Sequence, residues 1–289
     1  GTNADPWVGW SGVFTAAKEV HFPAGEYIHS ATISTTVNNM LITGEGMDAS
    51  IIRCNAAAEA GNLSINPTPG NVTIENLQFS RESSLGTQPI LNFQGMDELR
   101  LRNVAMTAAS GSTVTSGYGV EVVDIVRACS FENVEVRGST GVREFARGMS
   151  LKTAGGSGRY LIMGGSVEGS LRGLHVGTGS GLTVVGTRVR LQSTAQTGGT
   201  GIFFAGGGFS EVGLFGVHIL NYNKAIDLNN VDGFSILNCR LEGFEAGATP
   251  RGIHLQNSCR NGLISGLVLV NAGSAGTGVE LDATAHVGI

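Results

Sequence analysis

Residues 225–243 read AIDLNNVDGFSILNCRLEG, and residues 251–269 read RGIHLQNSCRNGLISGLVL. Each stretch opens on a short aliphatic–polar–aliphatic run, AIDL or GIHL, passes through a few turn-formers, and closes on a second alternating run hinged at Asn238 or Gly266. Alternation with period two is the pattern of a half-buried β-strand. The unit recurs about every 27 residues, and that recurrence decides the architecture.

Working outward from this pair, the hinge is an Asn or Gly at positions 76, 103, 133, 164, 186, 216, 238 and 266. Two residues before each hinge stand Ile74, Leu101, Phe131, Ile162, Val184, Leu214, Ile236 and Ile264. Three residues after stand Phe79, Met106, Val136, Val167, Val189, Ile219, Leu241 and Leu269. All sixteen are apolar. Hinges of this composition suit left-handed backbone or side-chain-to-backbone bonding at a bend. The other half of each unit is the short run GVEV, GMSL, GLHV, GIFF, AIDL, GIHL or GVEL, usually introduced by glycine.

A two- or three-strand unit of this length cannot bury its apolar face alone, whereas stacked copies enclose a continuous core. The sequence therefore predicts an all-β parallel solenoid. Irregular repeat lengths argue against a hexapeptide left-handed helix, and no calcium-binding nonapeptide repeat is present, so the hand expected is right. Residues 20–289 are assigned to a right-handed parallel β-helix of about ten coils. Residues 1–19, with Trp7, Trp10 and Phe14, are expected to form a short N-terminal cap over the first coil. No comparable cover is evident after LDATAHVGI, so the natural chain is expected to continue beyond Ile289.

Composition agrees. Of 289 residues 45 are Gly and only 6 are Pro, with 14% charged. Such a balance excludes disorder, collagen and long helices. A formal charge of −5 with no basic run argues against nucleic acid and anionic lipid as partners. No stretch approaches the roughly 20 apolar residues of a membrane span, and the opening GTNADPWVGW lacks a secretion-signal pattern. Cys54, Cys129, Cys239 and Cys259 have no zinc-ligand spacing and read as buried thiols. No metal or other cofactor is expected.

The early segment VHFPAGEYIHSATISTTVNNMLITGEGMDASIIRC, residues 20–54, resembles the opening coils of the pectate-lyase-like (pectin lyase-fold) superfamily through its FPAGEY turn, strand and ITGEG turn. Within that superfamily it is most similar to the β-helix domains of bacteriophage tailspikes. The resemblance implies a homotrimer on the virion tail that recognises and cleaves a bacterial surface polysaccharide. The alternatives are a non-catalytic β-helical fibre or glycan-binding domain, and a secreted polysaccharide lyase. The resemblance brings no catalytic signature: Asn-Thr-Asp, Asp-Asp, Gly-His-Gly, Arg-Ile-Lys and Arg-x-Pro-x-x-Arg are all absent.

The chemistry must then be sought in the repeat. The middle residue of each short run faces outward, one strand spacing (roughly 4.7–4.9 Å) from its counterpart in the next coil. This row is Asn92, Glu121, Ser150, His175, Phe203, Asp227, His254 and Glu280. Hydrolysis of a glycosidic bond needs two carboxyl groups, and Asp227 and Glu280 stand two rungs apart with His254 between them. These three are the candidate catalytic residues, with hydrolysis preferred to elimination. A lyase would use a base beside a cation, His254 with Arg251. Phe203 and His175 are expected to bind sugar as a floor, and Tyr222, Phe244, Glu245 and Arg251 as a wall built from loops. Glu242 is a reserve carboxylate. The second row, Glu135, Arg188, His218 and Arg240, reads as a solvated or subunit-contacting face. Asn and Asp in NYNKAIDLNNVDG read as turn-formers rather than calcium ligands.

Overall fold

The computed structural model describes residues 14, 17–55, 63–66, 70–81, 88–108, 117–138, 145–152, 158–191, 199–243, 250–270 and 276–282. Its described residues form 27 β-strands in two sheets. One sheet has ten strands and carries the short runs. The other has 17 strands and is folded along the hinge line. In early coils the chain passes through the hinge without a break, giving the long strands Asn71–Arg81, Glu98–Ala108 and Ala128–Arg137. Later coils split there, as in Arg159–Met163 and Ser166–Glu168. All registered pairings are parallel, each to the next coil. The fold is a right-handed parallel β-helix.

Both expected columns are present in register. Ile74, Leu101, Phe131, Ile162, Val184, Leu214, Ile236 and Ile264 pair in sequence through the stack. All but Ile264 are buried; Ile264 is half-buried against the core, in a late coil where Leu269, Val279 and Leu281 are exposed. The hinge residues adopt positive φ throughout, from 51° at Asn103 and Asn133 to 64° at Gly164 and Gly266. Three asparagines add a ladder. Asn103 Nδ2 donates to Asn76 Oδ1 and Asn133 Nδ2 to Asn103 Oδ1, each at 3.0 Å. An αL backbone carries little penalty for Gly and Asn, which is why no other residue type fills the line.

The glycine that introduces each short run has a packing reason. A Cβ at Gly148 would stand 2.3 Å from Val167 Cγ1, and one at Gly173 would stand 2.2 Å from Val189 Cγ1. Both distances are below any real contact, so the glycine lets the ten-stranded sheet close onto the second apolar column. This fixes where the polar row begins and holds it on a rigid sheet.

At the N-terminal end Phe14 is buried and stacks on Phe22 at 6.1 Å between centroids, and its carbonyl accepts from Thr35 Oγ1. Trp7 and Trp10 lie outside the described residues. All four cysteines are buried, and burial pushes the Cys129 thiol well up. Among the described residues no helix is long and apolar enough to cross a membrane.

Candidate functional site

The outward row is in register as the spacing requires: Asn92, Glu121, Ser150, His175, Phe203, Asp227, His254 and Glu280 pair rung to rung. Two further outward rows flank it. Three residues earlier run Tyr118, Arg147, Arg172, Thr200, Lys224, Arg251 and Thr277. Two residues later, Asn229 pairs with Gln256, and Asp282 follows in the next coil. The flanking side chains are long and fold over the middle row. That is why Ser150, His175, Asp227 and His254 are buried although they point away from the core.

At the later end the row forms a carboxylate–imidazole–carboxylate line. His254 Nδ1 lies 3.1 Å from Asp227 Oδ1, and His254 Nε2 lies 3.2 Å from Asp282 Oδ1. With one ring proton His254 donates to a single carboxylate, and a second proton satisfies both. Asp227 also receives Lys224 Nζ at 3.1 Å on Oδ2 and Gln256 Nε2 on Oδ1. Arg251 packs beside the ring, its Nη1 3.1 Å from Nε2 and 3.3 Å from Nδ1.

Glu280, the second expected carboxylate, lies against Arg251. Arg251 Nε sits 2.5 Å from Glu280 Oε2, an ion pair by contact in which the N–H does not aim at the carboxylate. Glu280 is neutralised by its neighbour, and the carboxylate that His254 reaches is Asp282. Asp227 and Asp282 contact opposite nitrogens of one imidazole ring. Asp282 and Gln256 were legible as the residues two beyond the expected row, since alternate residues share a face.

Donor atoms of His254, Glu280 and Asp282 lie within 4.8 Å of one another, a grouping that could hold a metal ion. The Arg251 guanidinium already reaches both His254 and Glu280, so a cation there would have to displace or oppose it.

At the earlier end Phe203 is not an open sugar platform. His175 stacks on it at 5.7 Å and 25°, and the Arg172 guanidinium lies 3.7 Å from its ring centroid. Arg147 sits over Tyr118 at 5.0 Å, and Lys152 Nζ pairs with Glu121 Oε1 at 2.7 Å. Burial, then Arg147, Arg172 and Lys152, push the His175 pKa down to about 3, leaving it a neutral ring bonded to Ser150 Oγ at 3.4 Å.

That depression gives a signed prediction. Between pH 6.5 and about 3 the unfolded chain holds a proton on His175 that the folded protein does not, so stability falls as pH drops through this window. His175→Gln should lose less Tm between about pH 7 and about pH 4 than the parent. Equal losses in the two proteins would count against this account of the ring.

Of the expected wall, Arg251 is placed at the site, whereas Phe244 and Glu245 lie outside the described residues. Tyr222 is a correction: it is 1% exposed, and its hydroxyl donates to Gly169 O at 2.8 Å and Arg190 O at 3.1 Å. It faces the interior because the glycine row leaves room for a ring there. Tyr222→Phe should cost about 1–3 kcal/mol by stranding carbonyls, measured by denaturant unfolding. Glu242 belongs to another face, where hydrogen bonds from Arg240 and His218 hold its carboxyl below the usual range. In the second row His218 and Arg240 pair with Glu242, and Glu135 pairs with Arg137. Asn221 and Asn230 are turn residues at φ 64° and 57°.

No known protein family is matched by the chain's sequence, and no curated protein matches it. Solved structures do match in shape. The Streptococcus pneumoniae surface protein and adhesin PfbA aligns over 95% of this chain and 94% of its own, with TM-score 0.50 and 10% identity. The shared fold is the right-handed parallel β-helix. ORF18 of Geobacillus virus E2 aligns over 91% of this chain at TM-score 0.49 and 12% identity, and the chain spans about half of that protein, 53%. The A-module of the Azotobacter vinelandii mannuronan C-5 epimerase AlgE4 aligns over 94% of this chain and 90% of its own, at TM-score 0.45 and 15% identity. At these identities the β-helix likeness is one of fold, so function must come from the site.

Proposed function

We propose that the ten-stranded face binds a linear polysaccharide along the solenoid axis and hydrolyses a glycosidic bond at Asp227, His254 and Asp282. The observation that carries this reading is the line of two carboxylates on either side of one imidazole, held on a rigid sheet and covered by long polar side chains. Asp282 activates water while His254, oriented by Asp227, protonates the leaving oxygen, the two roles that hydrolysis with inversion requires. The exposed Asp282 suits the water, and the buried, lysine-paired Asp227 suits a held group whose proton traffic runs through His254. A bacterial surface glycan as substrate, a homotrimeric assembly and a place on a phage tail belong to the same proposal.

The test is incubation with a panel of bacterial capsule and lipopolysaccharide preparations, sizing products by mass spectrometry. Products heavier by one water are expected. Unsaturated products would transfer the chemistry to elimination with His254 and Arg251. Binding without turnover would favour a glycan-binding fibre, a second reading supported by the burial of Asp227 at 2% exposure. Sedimentation velocity tests the trimer.

A further inference from the structure

The positive row beside the site divides into two halves. Lys224 and Arg251 are matched by Asp227 and Glu280. Arg147 and Arg172, in the preceding coils, form no ion pair with a carboxylate among the described residues and rest instead on aromatic faces, Tyr118 and Phe203. Lys152 lies beyond them on the strand of Arg147 and is matched by Glu121. On a chain of formal charge −5 this leaves, among the described residues, two arginines on neighbouring rungs without a paired anion.

We infer that Arg147 and Arg172 form an oxyanion subsite, which takes the carboxylate or phosphate group of an acidic sugar a short way along the chain from the bond at Asp227. This rests on the glycan reading above and names the class of glycan. Three features carry it. Stacking on Phe203 holds the Arg172 guanidinium in place while its edge keeps the donor fork that matches a planar oxyanion in two parallel hydrogen bonds. Arg147 and Arg172 are register partners on neighbouring rungs, and the charge of Arg147 is felt at Arg172. Arg172 and Lys224 are separated by two rungs of the ladder. Two rungs span about 10 Å, so the anionic sugar is a neighbour of the one being cleaved rather than the same unit.

The local electrostatics agree. The Arg172 pKa lies below its ordinary value, first through burial and next through the charge of Arg147. His175, three residues beyond Arg172 on the same strand, stays neutral, so it adds no competing cation and no anion. A bound oxyanion would relieve the repulsion between the two guanidinium groups, which the charge of Asp227 offsets only in part.

The experiment uses small probes that do not depend on cleavage. D-glucuronate, glucose 6-phosphate and glucose are each titrated into the full chain while the arginine Nε–H signals are followed by NMR. The parallel titrations use Arg172→Gln and the double variant Arg147→Gln/Arg172→Gln. The expected result is saturable shifts of the Arg147 and Arg172 signals with one or both anions, weakening as salt is added, and none with glucose. Apparent affinity should fall about tenfold or more in Arg172→Gln, with circular dichroism unchanged. Response to glucuronate alone names a carboxylate, and to the phosphate alone a phosphorylated sugar. Equal response to glucose, no response to either anion, or undiminished binding in the folded double variant would overturn the subsite. The polysaccharide panel reports separately on cleavage, so an anion-binding protein that cuts nothing defeats the hydrolase reading and leaves the subsite standing. A protein that cuts neutral glycan and ignores both anions does the reverse.

Discussion

Gly165→Ala will unfold or severely destabilise the protein, while Gly164→Ala beside it will be tolerated. The two glycines share a left-handed backbone, with φ 64° at Gly164 and 69° at Gly165. Each alanine therefore carries the strain of that region, roughly 1–2 kcal/mol, and for Gly164→Ala this is the whole expected cost. They differ in what a Cβ would meet. At Gly164 nothing lies within 4 Å. At Gly165 the new atom would stand 2.1 Å from Val134 O and 2.7 Å from Val134 N, both main-chain atoms of the preceding coil. A side chain can rotate aside, but a rung of a parallel ladder cannot move without breaking its own hydrogen bonds. The loss expected for Gly165→Ala is more than about 4 kcal/mol, the range where a named backbone mechanism is required. Thermal melts of the two purified variants decide the matter, and a Gly165→Ala protein melting with Gly164→Ala would show that the coil can yield there.

Asp227→Asn is the second large effect. On a glycan that the parent cleaves, turnover should fall by about 10²–10⁴, because the amide keeps the shape of the carboxyl but cannot exchange the proton held with His254. The fold should survive. Removing the carboxylate strands Lys224 Nζ, but that lysine side chain is 27% exposed and can turn into water. Asp282→Asn, at a side chain 43% exposed, should be nearly silent in stability and strongly impaired in turnover. Full activity in Asp227→Asn would remove the residue from the chemistry and leave Asp282 with Glu280 as the remaining carboxylates.

The columns of Ile74 to Ile264 and the outward row of Asn92 to Glu280 were readable in the sequence because both depend only on a phase repeated in every coil. What rested on three-dimensional closure was not readable. Tyr222 sits among polar turn-formers in NYNK, yet it is an interior residue, since Gly173 and Gly201 leave a space its ring fills, with their would-be Cβ atoms 3.0 and 3.2 Å from it. The burial of Asp227 and the cover over Phe203 depend on where Lys224, Gln256 and Arg172 fold their side chains. The period that marks an outward position does not encode those rotamers. Rung count alone makes Glu280 the partner of Asp227, and the charge of Arg251 alters that assignment.

The register of the ten-stranded face has a further consequence for how such a site could change. Successive rungs along it, from Arg147 through Phe203 to Asp282, are contributed by successive coils, and the coils are joined by the same parallel pairing at every step. The face is thus a ruler marked at roughly 4.8 Å, and the distance between the paired guanidinium groups and the imidazole is quantised in those marks. Excising one whole coil would shorten that distance by one mark without disturbing the pattern of either neighbour. On the glycan reading proposed above, gaining or losing a repeat would retune which sugar along a polymer is gripped relative to which bond is broken, without reshaping a pocket.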